Sequence, residues 1–169
     1  KDEMLTGMVD VVAGRIALPT AEGHWKASLR ASAASAHSVL MTHQWAAAQW
    51  LLRMPGPART RFMDAILMVL TEGGLRPDLV FRGYHAVTLH IVGFTQQEIG
   101  YQRALSGDFD AMVSGFLAGL ADDYPYLATH VRRHLHAHGE EDGAAGVEED
   151  DEFGFVLDLI LDGLERADR

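Results

Sequence analysis

The chain has 169 residues, no cysteine and a formal net charge of −10. That length suffices for one domain with its own core. Without cysteine no disulfide framework can form, and no run of about 18 uncharged apolar residues is available to cross a bilayer. The charged start KDEMLTG is not a signal peptide. A body this acidic is repelled by phosphate, so these residues alone do not grip nucleic acid. Together these features predict a soluble, cytoplasmic protein with no membrane partner.

Apolar spacing is helical nearly throughout. In residues 2–17, Leu5, Met8, Val9, Val12 and Ile16 fall on one face, and Pro19 stops the helix. A long helix is predicted from about Gly23 to Arg53, carrying Trp25, Leu29, Ala33, Ala36, Leu40, Ala47 and Trp50, with MPGP at 54–57 ending it. Residues 58–72 follow with Phe62, Ile66, Val69 and Leu70, closed by Gly73-Gly74. Asp78 is expected to cap a second long helix reaching about Leu105, with the stripe Phe81, Tyr84, Val87, Ile91 and Phe94.

The pattern over 108–121 is again amphipathic, with Phe109, Met112, Val113, Phe116, Leu117 and Leu120. Pro125 opens a short helix to about His138. Residues 139–152, built around EEDGAAGVEEDDE, lack basic residues and read as an acidic, disordered linker. The closing helix, 153–167, puts Phe153, Val156, Leu157, Ile160, Leu161 and Leu164 on one face. Phe155 and Leu159 lie off that face, and Gly154, Asp158, Asp162 and Glu165 form a narrow polar strip. A tethered helix this short is marginal by itself in water, so packing must hold it. Its own bundle can cover one apolar face. The other implies either the same helix of a second subunit in a two-fold homodimer or a position wholly inside its own domain. The fold class is all-α, in a single domain over 1–169.

Five segments in order, KDEML, HWKASLR, GGLRPDLVFRGYHAVTLHIVGFTQQE, DYPYL and EFGFVLDLILDGLER, resemble the tetracycline-repressor (TetR) family. The likeness is to the C-terminal effector-binding and dimerisation part and covers essentially the whole chain. It implies a TetR-C-like helical bundle and a homodimer joined by four helices, two from each subunit. The interface would use His90, Gly93 and Gln97 on the second long helix and Phe153, Val156, Leu157, Ile160, Leu161 and Leu164 on the closing helix. Residues 1–18 would be the connecting helix after an N-terminal helix-turn-helix that reads operator DNA. Lys1 stands where that head would have just ended.

The resemblance also implies an effector pocket inside the bundle. The polar candidates are Ser32, Ser35, His37, Tyr84, His85 and Thr88; the apolar wall is Met41, Trp45, Trp50, Phe62 and Ile66. Each of these also reads as an ordinary core residue. The magnesium-ligating histidine of tetracycline-binding members falls on Trp50, so a tetracycline–magnesium complex is not the expected ligand. The effector stays open, and no cofactor is expected.

Other chemistry is weaker. His130, His134 and His138 share a helical face, the spacing of two zinc-binding histidines. No carboxylate or cysteine is fixed beside them, and histidines also suit a helix C-terminus, so no metal site is expected. There is no G-x-S-x-G, P-loop or cysteine nucleophile, and Asp122-Asp123 read as a capping pair rather than an acid/base pair. The chain is not read as an enzyme. The expected function is a ligand-responsive transcriptional regulator, a repressor. The alternatives are a headless all-α ligand carrier or interaction module, and a histidine-cluster metal protein.

Overall fold

The structure, a computed structural model, describes residues 2–105, 115, 119, 123–131 and 151–169. The helix expected over 108–121, the carboxylate Asp122, His134, His138 and most of the 139–152 segment lie outside these described residues. Among the described residues the helices labelled below are, in order, α1 (Asp2–Ala13), α2 (Trp25–Thr42), α3 (Gln44–Gln49), α4 (Pro57–Glu72), α5 (Pro77–Leu105) and α6 (Glu152–Asp168). The fold is all-α, with no strand among the described residues. No described helix is long and apolar enough to cross a membrane.

The chain divides into two compact units, Lys1–Ile99 with Asp151–Arg169, and Gly100–Asp150. In the second, residues 125–131 are helical and Ala128 is buried. The first unit holds the main core. Val9, Val12 and Ile16, Leu29, Ala33 and Leu40, Phe62, Ile66 and Leu70, Val87 and Ile91, and Leu157 and Leu161 are all buried. Each comes from the apolar stripe that its helix shows in sequence, and burying one such side chain contributes about 1.5–3 kcal/mol. Helix α2 is the hub, packing against α1, α3, α4 and α6.

Local chemistry sets the helix ends. Gly74 takes φ +87°, the left-handed conformation that glycine adopts without strain. The Gly74 N–H bonds the Thr71 carbonyl at 3.1 Å and the Leu75 N–H the Leu70 carbonyl at 3.3 Å, a Schellman closure of α4. Helix α5 starts one residue earlier than expected, at Pro77. The N–H groups of Leu79 and Val80 both reach the Arg76 carbonyl, which places Asp78 inside the first turn rather than at the cap.

The long helix expected from Gly23 to Arg53 is broken. At His43 the backbone leaves the helical region (φ −120°, ψ 58°), and α3 runs only to Gln49. The His43 Nδ1–H donates to the Val39 carbonyl (2.9 Å), and its Nε2 accepts from Arg15 Nη1 (2.9 Å). A tertiary partner thus fixes a break that apolar spacing cannot register.

The polar strip of the closing helix faces α2. Lys26 Nζ lies 2.6 Å from Asp162 and 3.2 Å from Glu165. Arg30 donates to Asp158 from Nε (2.9 Å) and to Asp151 from Nη2 (3.2 Å). The hydrogen bond from Lys26 holds the Asp162 carboxyl below its ordinary range. Such exposed pairs contribute mainly register between the two helices rather than stability. Asp151 also caps α6, accepting the Gly154 N–H at 2.8 Å. A Cβ at Gly154 would run into the Asp151 carboxylate and Arg30.

Candidate effector site

Helix α4 begins on a carboxylate from another helix. Asp10 of α1 accepts the N–H of Ala58 (Oδ2, 3.0 Å) and of Arg59 (Oδ1, 2.9 Å). These are orphan donors of the first turn, at the positive end of the helix dipole. Gly56 makes the approach possible, since a Cβ there would sit 2.5 Å from Asp10 Cγ. The connecting helix α1 is thereby bonded to the start of α4.

Arg59 occupies the first turn so capped, and its side chain turns inward. It precedes Phe62 by three residues and Ile66 by seven, so it continues the buried stripe of α4. It is 8% exposed, and its Nε and Nη1 have no hydrogen-bond partner among the described residues. The guanidinium lies over the Trp50 ring, 5.0 Å from the centroid. Burial works against its charge and pushes its pKa down; Asp10 and then Tyr84 partly offset that. A guanidinium does not give up its proton in practice, so the charge stays. The Asp10 oxygens bond backbone N–H groups rather than Arg59 Nε or Nη1. Burial in turn raises the Tyr84 phenol, with Arg59 opposing, so Tyr84 keeps its proton and can donate it. Buried polar groups are nearly always bonded and buried charges paired. Among the described residues, Arg59 is the exception.

A second cluster joins α2, α5 and α6. His37 Nδ1 lies 2.9 Å from Thr95 Oγ1, and its Nε2 lies 3.1 Å from Glu98. The Thr95 hydroxyl lies within hydrogen-bond reach of both the Ile91 carbonyl and His37 Nδ1. Phe153 of α6 stacks on His37 (centroids 4.3 Å apart) and on His90 (4.7 Å), and His90 Nε2–H donates to the Phe153 carbonyl at 2.9 Å. Burial lowers the pKa of both histidines. Here every polar atom named is used within the protein.

With that geometry in place, the family described as "Tetracyclin repressor-like, C-terminal domain" matches residues 18–167. The chain belongs to this family. Among solved structures it is similar to the Streptomyces coelicolor TetR family protein ActR in complex with actinorhodin. The identity is 23% over 99% of this chain and 77% of that one, with a TM-score of 0.72. It is similar, too, to a chain described as a possible TetR family transcriptional regulator from Streptomyces coelicolor A3(2), at 27% identity over 98% of this chain and 76% of that one, with a TM-score of 0.69. ActR in complex with (S)-DNPA matches at 23% identity over 100% of this chain and 77% of that one, with a TM-score of 0.70. No curated protein matches the chain.

In this TetR-type bundle the residues expected at a pocket part company. Trp50, Phe62 and Ile66 are buried, and Met41 and Tyr84 pack against the same core. Trp50 lies under the Arg59 guanidinium, and the Tyr84 phenol is near enough to act on its charge. Ser32 and Ser35 have another task. With Ser28 they form a ladder along α2 that holds the segment after α1. Ser32 Oγ donates to the Ala17 carbonyl (2.6 Å), Ser35 Oγ accepts the Ala17 N–H (3.0 Å), and Ser28 bonds both backbone groups of Thr20. Their hydroxyls complete the hydrogen bonding of an extended segment. His37 is taken up by Thr95 and Glu98. The Thr88 hydroxyl returns to the carbonyls of Tyr84 and His85 on its own helix. His85 and Trp45 are exposed.

The surface expected to dimerise is also redistributed. Phe153, Leu157, Leu161 and Leu164 are buried within their own unit, and Val156 and Ile160 are half-buried. The inward set is therefore the face named from the sequence. The outward set is Phe155 (63% exposed) and Leu159 (54%) on α6, with Phe81 (65%) and Leu89 (64%) on α5. Gly93 has open space where a Cβ would stand, and Gln97 is exposed, whereas His90 is half-buried and bonded to α6.

Sequence reading missed Arg59 although it carried a signal. An arginine in phase with Phe62 and Ile66 is a charge on a buried stripe, the kind of local inconsistency that marks a functional position.

Proposed function

We propose that this chain is the effector-binding and dimerisation part of a ligand-responsive transcriptional regulator, a repressor, rather than an enzyme. A small organic molecule enters the bundle beside α4. Its binding alters the position of α1, and α1 carries the change to a helix-turn-helix preceding it, which alone touches operator DNA. The observation that carries this reading is the Asp10 cap: the carboxylate of α1 bonds two N–H groups at the start of α4, so a ligand that shifts α4 must act on α1. The complex of ActR with actinorhodin, a structural relative, supports a small-molecule effector. Met4, Met8 and Val11 lie exposed at i, i+4 and i+7 on α1, an apolar stripe suited to contact with a preceding domain.

The dimer pairs α5 and α6 with their copies. Leu89 and Phe81 from one helix and Phe155 and Leu159 from the other supply the apolar seam, a two-fold arrangement in which each patch meets itself. Gly93 allows backbones to approach.

The test is operator binding by the full-length regulator, on sites selected from genomic DNA, with and without a ligand that binds the domain. Saturating ligand weakens the complex by about tenfold or more, the usual scale of allosteric coupling. Asp10→Ala keeps ligand binding and loses the response. Ligand binding that leaves operator affinity unchanged overturns the repressor reading and favours a carrier of small molecules.

A further inference from the structure

We infer that the effector is an organic monoanion with a flat apolar body, whose acidic group pairs with the unpartnered nitrogens of Arg59 and whose body is received by Trp50 and Tyr84. The inference rests on the effector-domain reading above and names the ligand class for it.

Three observations converge. Arg59 is more than nine-tenths buried, and its Nε and Nη1 lack acceptors. A buried cation in that state is costly unless something negative joins it. Its neighbours leave those two nitrogens unbonded: the Asp10 oxygens bond the N–H groups of Ala58 and Arg59, and Tyr84 stays protonated. A ligand carboxylate supplies the acceptors, and charge-assisted bonds to guanidinium are the strong kind. The Tyr84 hydroxyl adds a donor to the same group.

The rest of the ligand follows from what flanks the guanidinium. The guanidinium carbon lies over the Trp50 ring, 5.0 Å from its centroid. Phe62 and Ile66 continue the same buried face of α4. Such surroundings reward an apolar, planar body. They do not suit a phosphate dianion. The Asp10 carboxylate acts on the same guanidinium and the N–H groups at the start of α4 are already capped, so an anion of the lowest charge is favoured.

The experiment uses the full 169-residue chain with 2-naphthoate, its neutral isostere 2-naphthamide, and inorganic phosphate, read by calorimetry and tryptophan fluorescence. Naphthoate binds at least about tenfold more tightly than the amide, the scale of hydrogen bonds to a charged group, and phosphate does not compete with it. Arg59→Met removes the preference for the acid and leaves the ligand-free chain as stable as before or more so, because an uncompensated charge is gone. Equal binding of acid and amide, no binding of naphthoate, displacement by phosphate, or an Arg59→Met chain that keeps the preference each overturn the proposal. Should Arg59→Met fail to fold, the acid-to-amide ratio of the parent chain still decides. Arg59-dependent binding of naphthoate with no effect on operator affinity would sink the regulator reading and leave the anion site standing.

Discussion

Asp10 Oδ1 accepts the backbone N–H of Arg59 at 2.9 Å while the guanidinium of the same residue is left without acceptors at Nε and Nη1. One carboxylate therefore ends a helix and withholds itself from the cation beside it. The link between α1 and α4 runs from the Asp10 carboxylate to the backbone of α4 rather than to the guanidinium nitrogens Nε and Nη1.

Asp10→Ala removes two cap bonds at once. Loss of an N-cap acceptor costs about 0.5–2 kcal/mol, and the upper half of that range is expected because Ala58 and Arg59 both lose their partner. Urea denaturation of the purified chain measures it. Asn at the same position, which keeps one acceptor oxygen, recovers part of the loss. A variant as stable as the parent would mean that water caps α4 equally well.

Ser32→Ala tests the ladder that holds the segment after α1. The buried hydroxyl donates to the Ala17 carbonyl at 2.6 Å, and its removal strands that carbonyl, at a cost of about 1–3 kcal/mol. Ligand affinity is expected to be unchanged within a factor of about two, since the hydroxyl serves the backbone. A Ser32→Ala chain of full stability that loses ligand binding would return the residue to the effector site.

Two leucines two residues apart, on opposite sides of α6, separate the core from the seam. Leu161 is buried at 1% exposure, whereas Leu159 is 54% exposed. Leu161→Asp puts a charge in the subunit's own core and is expected to abolish folding. Leu159→Asp, alone or with Phe155→Asp, leaves the helical circular dichroism intact and yields monomers by sedimentation velocity. Dimers that survive both outward substitutions rule out the seam described here.

Acid should loosen the junction of α2, α5 and α6. His37 and His90 both have folded pKa values held below the ordinary value by burial; at His37 the nearby Glu98 and Asp151 oppose the shift and His90 adds to it. At His90 the bond to the Phe153 carbonyl opposes it. The unfolded chain thus takes up protons first as pH falls below about 6.5, the ordinary histidine value, and binds more protons than the native chain. Stability from these groups is complete above that pH and drains away as pH falls towards the folded values. Melting temperature drops between about pH 7 and 5, and His90→Gln, which can still donate to Phe153, shows a shallower drop than the parent. A flat or rising profile over that interval contradicts the assignment.

How much of this was legible beforehand varies with the kind of question. Apolar spacing placed the helices and most of their buried faces, since which residues of a helix share a side is fixed by its 3.6-residue period. Gly74 marked the end of α4 because only glycine enters that conformation without strain. The family, too, could be read from five ordered segments. What spacing does not hold is the identity of whatever stands opposite a face. Asp158, Asp162 and Glu165 looked like a solvent strip until Lys26 and Arg30 were brought across from α2, more than a hundred residues earlier in the chain. His43 breaks a helix through a contact with Arg15. Ser32 and Ser35 resembled pocket groups until the Ala17 backbone took their hydroxyls. The two apolar sides of the closing helix were visible in its sequence, but only packing decided that Leu157 and Leu161 turn inward and Phe155 and Leu159 outward. Arg59 joins both kinds of knowledge. Its place on the stripe belongs to the sequence; the absence of an acceptor for its charge arises only when α1, α4 and α5 come together, because satisfaction of a buried group depends on its neighbours in space rather than along the chain.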